Sequence, residues 1–278
     1  MKKIVSIQDI SCFGKCSLTV ALPIISAMGI ETAVIPTAVL STHTGEGFSG
    51  YTFRDLTSDI PDISDHWKKL GLKFNAVYTG YLGSPEQVQI VSDFFDDFGT
   101  EDNFIVVDPV LGDGGKLYAG FTDDFVKKMT KLCSKADFIL PNLTEASFML
   151  GVPYAEKYDE DYIHDILRKL SSLGCSTPVI TGVHFGDGKQ GAVAYDSKTD
   201  TFCSAFGENV DHRFHGTGDI FASVFTGAVT LGKGLQQALD IAVKFTRDCI
   251  EETIPHLEEM WYGSCFELCL GKLIEYVK

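Results

Sequence analysis

The sequence predicts an α/β three-layer sandwich: a central, mostly parallel sheet covered by helices on both faces, in one domain spanning residues 1–278. Three observations carry this expectation. Short apolar runs alternate with helix-period segments along the chain, as repeated βα units do. Gly191–Tyr195 and Thr201–Ala205, around Asp196-Ser197-Lys198, read as a late hairpin, which implies an antiparallel addition at one sheet edge. The chain carries no long linker, internal repeat or low-complexity tract that would divide it.

The elements follow in order. Ile4–Ile7 is a short apolar strand; Gln8 and Asp9 cut its apolar run, so the start reads as a first strand rather than a secretory signal. Gly14–Met28 reads as a helix bent at Pro23, and Glu31–Thr37 as a strand. Phe74–Thr79 is a strand ending in Gly80. Ser84-Pro85-Glu86-Gln87 then opens a helix with a capping Ser, a first-turn Pro and a Gln in the capping-box place, and Val88, Val91, Phe95 and Phe98 form its apolar stripe. Asn103–Val107 is a strand that runs into Asp108-Pro109. Thr122 caps a helix whose first residues, Asp123 and Asp124, face its positive end. Asp137–Leu140 is a strand stopped by Pro141, and Asn142-Leu143-Thr144-Glu145 is a capping box. A helix with Tyr162, Ile163, Ile166, Leu167 and Leu170 on one face ends at Gly174, and Pro178–Thr181 is a strand. Beyond Gly216 the chain is mostly helical, with a further capping box expected at Ser264-x-x-Glu267.

Composition narrows the function classes. Apolar residues make up 45% and charged residues 22%, which excludes a disordered chain. The 23 Lys and Arg against 38 Asp and Glu leave a net charge of −15, which argues against nucleic acid or an anionic membrane as partner. No apolar run reaches the ~18 residues of a membrane span. The eight Cys include no C-x-x-C pair and are expected to be free thiols in a reducing, cytoplasmic compartment. An anionic ligand, such as a nucleotide, would require a local source of positive potential.

In open α/β sheets, ligands bind beyond the carboxyl ends of the strands. Gln8-Asp9, Thr79-Gly80-Tyr81, Asp108-Pro109, Pro141-Asn142 and Thr181-Gly182 all fall at such ends and are expected on one rim. The most informative segment is Phe214-His215-Gly216-Thr217-Gly218-Asp219, directly before a long apolar helix. Gly on either side of Thr217 permits close approach of a phosphate to free first-turn amides, where the helix dipole favours anions. Asp219 there would stand beside a reacting phosphoryl group, positioned to accept a proton from an attacking hydroxyl. The same pattern also fits a plain glycine turn with Asp capping the helix. Asp108 fits strand termination as well as metal or phosphate chemistry, Glu145 fits a cap, and His43 and Tyr81 fit loop and packing roles.

Gly216-Thr217-Gly218-Asp219 resembles the G-[AT]-G-D signature of the ribokinase-like superfamily, and the likeness extends over nearly the whole chain. Within that superfamily the sequence is most similar to the vitamin B6 kinases. Ser6-Ile7-Gln8, Ser41-Thr42-His43-Thr44-Gly45, Thr79-Gly80-Tyr81, Asp108-Pro109-Val110-Leu111-Gly112-Asp113 and Pro141-Asn142-x-x-Glu145 resemble their ordered motifs. The resemblance implies ATP-dependent phosphorylation of the 5′-hydroxymethyl group of pyridoxal, pyridoxine or pyridoxamine. It implies Asp219 as general base and the amides of Gly216, Thr217 and Gly218 as an anion hole. It places Asp9, His43, Thr44 and Tyr81 on the pyridine ring, and Asp113, Lys116, Asn142 and Thr181 around the nucleotide. It puts Asp108 and Glu145 at Mg²⁺, with Thr181 lining a phosphate or K⁺ subsite, and it implies a homodimer.

Gly112-Asp113-Gly114-Gly115-Lys116 lacks the P-loop pattern and reads either as a mobile cover over ATP or as a flexible surface turn. His184, His212, His215 and Cys203 match no zinc spacing. Two departures from the family stand out. Asp9 replaces a common Ser, suiting a protonated ring nitrogen, an amine substituent or a different heteroaromatic alcohol. Leu140 replaces a Thr that some members place near the monovalent cation. A hydroxymethylpyrimidine kinase and a non-catalytic nucleotide- or vitamin-binding protein are the competing readings.

Overall fold

In a computed structural model, residues 1–45, 47–210, 212 and 214–278 are described. The elements in chain order are β1 (Lys3–Ser11), α1 (Leu18–Ala27), β2 (Glu31–Leu40), β3 (Phe53–Asp55), α2 (Asp59–Lys69), β4 (Ala76–Thr79), α3 (Pro85–Phe98) and β5 (Phe104–Val107). There follow β6 (Gly112–Asp113), β7 (Lys116–Leu117), α4 (Asp123–Cys133), β8 (Phe138–Ile139), α5 (Leu143–Leu150) and α6 (Glu160–Ser172). The chain closes with β9 (Thr177–Val183), β10 (Lys189–Asp196), β11 (Thr201–Glu208), α7 (Thr217–Thr230), α8 (Leu235–Thr253) and α9 (Phe266–Tyr276).

The central sheet runs β11-β10-β9-β8-β5-β4-β1-β2-β3. The six strands from β9 to β2 are mutually parallel. The expected hairpin, β10–β11, adds antiparallel beyond β9, and β3 adds a second antiparallel edge beside β2. Successive strand residues divide between two cores, as the pleat requires. Val5, Val77, Val107 and Ile180 pack with Ile60, Val91, Phe125, Ala146 and Ile166 from α2–α6. Ile4, Ala76, Val106 and Val179 pack with Ile24, Phe225, Phe245 and Leu273 from α1 and α7–α9. The three-layer sandwich is therefore as the sequence predicts.

Local signals hold where the donor they satisfy has no better partner. The hydroxyls of Ser84 and Thr122 accept from the amides of Gln87 and Phe125, and Asn142 and Glu145 form a complete reciprocal capping box. Gln87 instead accepts from the Gly83 amide and donates to the Thr37 carbonyl. Two further expectations are corrected. The first helix begins at Leu18 rather than Gly14, because residues 14–17 form a strained loop. The Ser264–Glu267 box is absent: the helix is capped at Cys265 without a side-chain bond, and the Glu267 carboxylate is taken by Lys15. The glycine-rich segment forms a small β6–β7 hairpin.

All eight cysteines are free thiols. Among the described residues, no helix is long and apolar enough to cross a membrane.

Candidate active site

The carboxyl ends of β1, β4, β5, β8 and β9 form one rim, and α7 begins beside it. Gly216 caps α7 in the left-handed conformation, with φ 80°. A Cβ there would lie 1.8 Å from the Lys15 carbonyl oxygen, so position 216 requires Gly on both counts. At Gly218 a Cβ would meet no protein atom within 4 Å. Glycine there answers to no packing demand within the chain and leaves open space above the first-turn amides. The Ile220 amide makes the first intrahelical bond, to the Gly216 carbonyl, so the amides of Thr217, Gly218 and Asp219 precede the helical ladder. That combination of open space, free donors and a dipole end suits an anion.

Asp219 stands in this first turn. Burial pushes its carboxyl from the usual 3.8 to about 7; the negative charge of Asp9 adds to the rise, and the Ser17 backbone N–H, donating to it, partly offsets it. Asp9 is 4% exposed and sits where the β1–β2 register slips between Gln8 and Ile10. Such a slip re-aims side chains at a sheet end. Burial raises the Asp9 pKa, while the hydroxyls of Ser17 and Ser11 oppose the rise, Ser11 Oγ from 3.1 Å. Base candidate and ring-contact candidate thus share one electrostatic environment.

Asp108 follows β5, its carboxylate accepting from the Val110 amide at 3.4 Å. Burial and the charges of Glu145 and Asp219 push its pKa well up. Glu145 is raised too, by burial. Its oxygens serve the backbone: Oε1 accepts from Leu111 at 2.7 Å and Oε2 from Asn142 at 2.9 Å. The Asn142 amide is equally engaged, accepting from Glu145 and donating to the Gly112 carbonyl at 2.8 Å. The Gly115 amide donates to Thr144 Oγ1 at 3.0 Å. Asn142 and Glu145 therefore tether the β6–β7 hairpin to the start of α5. In that hairpin Asp113 pairs with Lys116, and both side chains are exposed. Thr181 continues the rim, its amide bonded to the Pro141 carbonyl.

On the other side of Asp219, the rings of His43 and His215 lie 4.7 Å apart. Burial and His215 lower the His43 pKa to about 4, so its imidazole is neutral at pH 7. Its Nδ1 accepts from the Gly45 amide at 2.7 Å, which leaves Nε2–H as a donor. Thr44 is exposed beside it. Tyr81 stacks on Phe121, and burial and the charge of Asp9 raise its phenol pKa.

Two residues join the site without a sequence expectation. His215 had only a discounted zinc spacing, although its position directly before Gly216 could have drawn notice. Tyr118, after the hairpin, is 46% exposed, and its phenol pKa is raised by burial and by the charges of Glu145, Asp113, Asp108 and Asp219. Among the described residues, no group of three or more His, Cys, Asp or Glu side chains is arranged to hold a metal ion alone.

A helix start whose first amides precede the helical ladder, beside a half-buried carboxylate at the carboxyl rim of a doubly covered sheet, defines a small-molecule kinase of the ribokinase-like type. The model of the phosphomethylpyrimidine kinase family matches residues 25–261, and the chain belongs to that family. A Bacteroides thetaiotaomicron protein assigned as a phosphomethylpyrimidine kinase, solved with pyridoxal, is 42% identical with a TM-score of 0.92, covering 98% of this chain and 95% of that one. Pyridoxal kinase from Lactobacillus plantarum is 32% identical with a TM-score of 0.91, covering 99% and 97%. Pyridoxal kinase of Dictyostelium discoideum is 27% identical over 301 residues, 99% of this chain and 95% of its own length.

Proposed function

We propose that this protein phosphorylates the 5′-hydroxymethyl group of pyridoxal, pyridoxine or pyridoxamine with ATP. The observation that carries the reading is the 42% identical, nearly full-length structural relative solved with pyridoxal. In this reading Asp219 accepts the proton of the substrate hydroxymethyl group as its oxygen bonds to the γ-phosphorus and the bond from that phosphorus to the β-phosphate oxygen breaks, releasing ADP. The amides of Gly216, Thr217 and Gly218, at the start of α7, stabilise the charge on the transferring phosphoryl group. Asp9 accepts from a donor on the ring, His43 Nε2–H donates to a ring substituent, and Tyr81 and Thr44 complete the ring pocket.

Asp108 and Glu145 are the residues that would hold Mg²⁺ in this reading. The donor set fits: Mg²⁺ takes oxygen ligands, usually one or two carboxylates besides substrate phosphates, and the charge of Glu145 acts on Asp108. Bound there, Mg²⁺ supplies charge neutralisation of the phosphate oxygens. Asn142 acts in this reading by fixing the hairpin, whose Asp113 and Lys116 border the nucleotide. Thr181 lines a phosphate or K⁺ subsite, whereas Leu140 is 2% exposed core and offers no ligand. A homodimer in the cytoplasm completes the reading, by analogy with the family.

A second reading, phosphorylation of a hydroxymethylpyrimidine, is favoured by the description of the matching family and by the buried Asp9 carboxylate. One assay separates the two. The purified protein is incubated with Mg-ATP and each of the three vitamers or the hydroxymethylpyrimidine, and the phosphorylated product is measured. Turnover of the vitamers is expected; turnover of the pyrimidine alone would install the second reading, and binding without turnover would make the protein a sensor.

A further inference from the structure

Two imidazoles from distant parts of the chain meet beside the first turn of α7. His43 belongs to the loop after β2, and His215 directly precedes Gly216. Their ring centroids lie 4.7 Å apart at an interplanar angle of 45°, within the range of ring contact. Both rings also close on one point of the backbone. A Cβ on Gly45 would lie 2.5 Å from His43 Cε1 and 2.6 Å from His215 Cε1. The two imidazoles thus occupy the space that a side chain at position 45 would need, and glycine there is a packing requirement set by both.

His43 is anchored at its backbone and at one ring nitrogen. Its amide donates to the Phe13 carbonyl at 2.9 Å, and its Nδ1 accepts from the Gly45 amide at 2.7 Å. These bonds settle which nitrogen carries the proton. They leave the angle of the ring to its neighbours, because the terminal torsion of a histidine has broad minima. Phe48 meets the ring edge-on, with centroids 5.8 Å apart, and Trp261 backs Phe48 at 4.9 Å. His215 supplies a wall of different origin. It is carried by the cap of α7, where Gly216 is locked against the Lys15 carbonyl and its own carbonyl accepts from the Ile220 amide at 2.9 Å. The wall beside His43 therefore belongs to the same rigid segment as the amides of the α7 start.

We propose that His215 is a positioning residue whose ring sets the angle of the His43 imidazole and registers the loop of residues 43–45 against the start of α7. The donor that recognises the alcohol and the amides that receive the phosphoryl group are then held in one frame. His215 acts through the contact of its ring and not through a proton of its own. This inference rests on the kinase reading given above, in which His43 Nε2–H donates to the substrate ring.

The test uses the full chain with Mg-ATP and pyridoxal, and two variants that divide the properties of the imidazole. His215→Phe keeps a flat ring and loses both nitrogens; His215→Asn keeps a polar donor and acceptor and loses the ring. His215→Phe should stay within about threefold of the wild type in kcat and in both KM values. His215→Asn should raise KM for the alcohol about 10-fold, the worth of one misaimed hydrogen bond, with kcat within about threefold and KM for ATP unchanged. In a His43→Ala background, His215→Asn should raise KM by less than about twofold, because His215 acts through His43. The reverse order, with Asn near the wild type and Phe impaired, would show that a nitrogen of His215 works on the substrate itself and would overturn the inference. A defect confined to kcat or to KM for ATP, an additive effect in the double variant, or lowered melting temperatures with unchanged kinetics would overturn it as well. A wild type that turns over while both variants match it removes the inference alone. A wild type that neither binds nor phosphorylates any of the alcohols removes the kinase reading, and this inference with it.

Discussion

Replacing Asp219 by Asn tests the proposed mechanism and its energetic cost together. The carboxyl lies at about 7 because burial disfavours its charged form. A base must be ionised to act, so activity should rise with pH through that value. At pH 8 about nine tenths of the molecules carry the carboxylate and at pH 6 about one tenth, so kcat/KM of the wild type should fall roughly tenfold between them. Asp219→Asn should lower kcat by roughly 10²–10⁴ and flatten this limb. Stability moves the opposite way. The folded value lies above the unfolded one, so the group's contribution is fully present below about pH 3.8 and is lost as pH rises through about 7. A difference of about three pH units corresponds to a ceiling of about 4 kcal/mol, from about 1.4 kcal/mol per unit. Asn carries no charge to desolvate, so the variant should unfold less readily than the wild type at pH 8, by about 1–4 kcal/mol, and show no such advantage at pH 4. Initial rates with a coupled ADP assay, and urea melts at both pH values, read the two effects. A wild-type profile flat between pH 6 and pH 8, with a variant kcat within tenfold of normal, would refute the role of Asp219 as base.

Gly216→Ala places a Cβ 1.8 Å from the Lys15 carbonyl and forces φ 80° on a side chain; it should cost at least about 2 kcal/mol in thermal unfolding and most of the turnover. Glu145→Ala removes the capping box and the acceptor for Leu111, for a loss of about 2–4 kcal/mol. Because the Glu145 carboxyl is raised in the folded state, its ionisation already costs stability at high pH, so melts should show a larger loss at pH 5 than at pH 8. Asp9→Ser should change the ratio of kcat/KM among the vitamers by about 10-fold, the worth of one charged hydrogen bond; unchanged ratios would remove Asp9 from ring recognition.

Much of this site was legible because each signal is local in sequence. Gly216-Thr217-Gly218-Asp219 sets its own backbone, Asn142 and Glu145 cap their own helix, and the strand-end rule brought Asp9, Asp108 and Thr181 to one rim. What was not legible depends on distant partners. Ser264-x-x-Glu267 has the spacing of a cap, but Lys15, 252 residues away, offers Glu267 a charged donor that outcompetes an N-cap amide. The positive φ of Ser17 has no compositional mark, since it belongs to a loop that packs against Gly216, remote in sequence. The exposed three-residue β3 is too short to show a period. The helix after it carries Ile60, Ile63 and Trp67 at helical spacing, but Ser58, the residue before it, makes no side-chain cap.

The net charge of −15 at first sits badly with an ATP enzyme. The acids of the site change the meaning of that number. Asp9, Asp108, Glu145 and Asp219 are all pushed toward their protonated forms, and for Asp108, Glu145 and Asp219 neighbouring carboxylates add to the effect of burial. Near pH 7 the free site is therefore less negative than its sequence implies. Bringing a divalent cation beside Asp108 favours the ionised form of every carboxylate around it. Nucleotide binding and ionisation of Asp219 are then linked, and the linkage has a direction. In kcat/KM, which reports the free protein, the acid limb should lie near pH 7; in kcat, measured with Mg-ATP bound, it should lie at lower pH. Coincident limbs would mean that the cation does not reach the field of Asp219, and the placement of Asp108 beside the metal would fall with them.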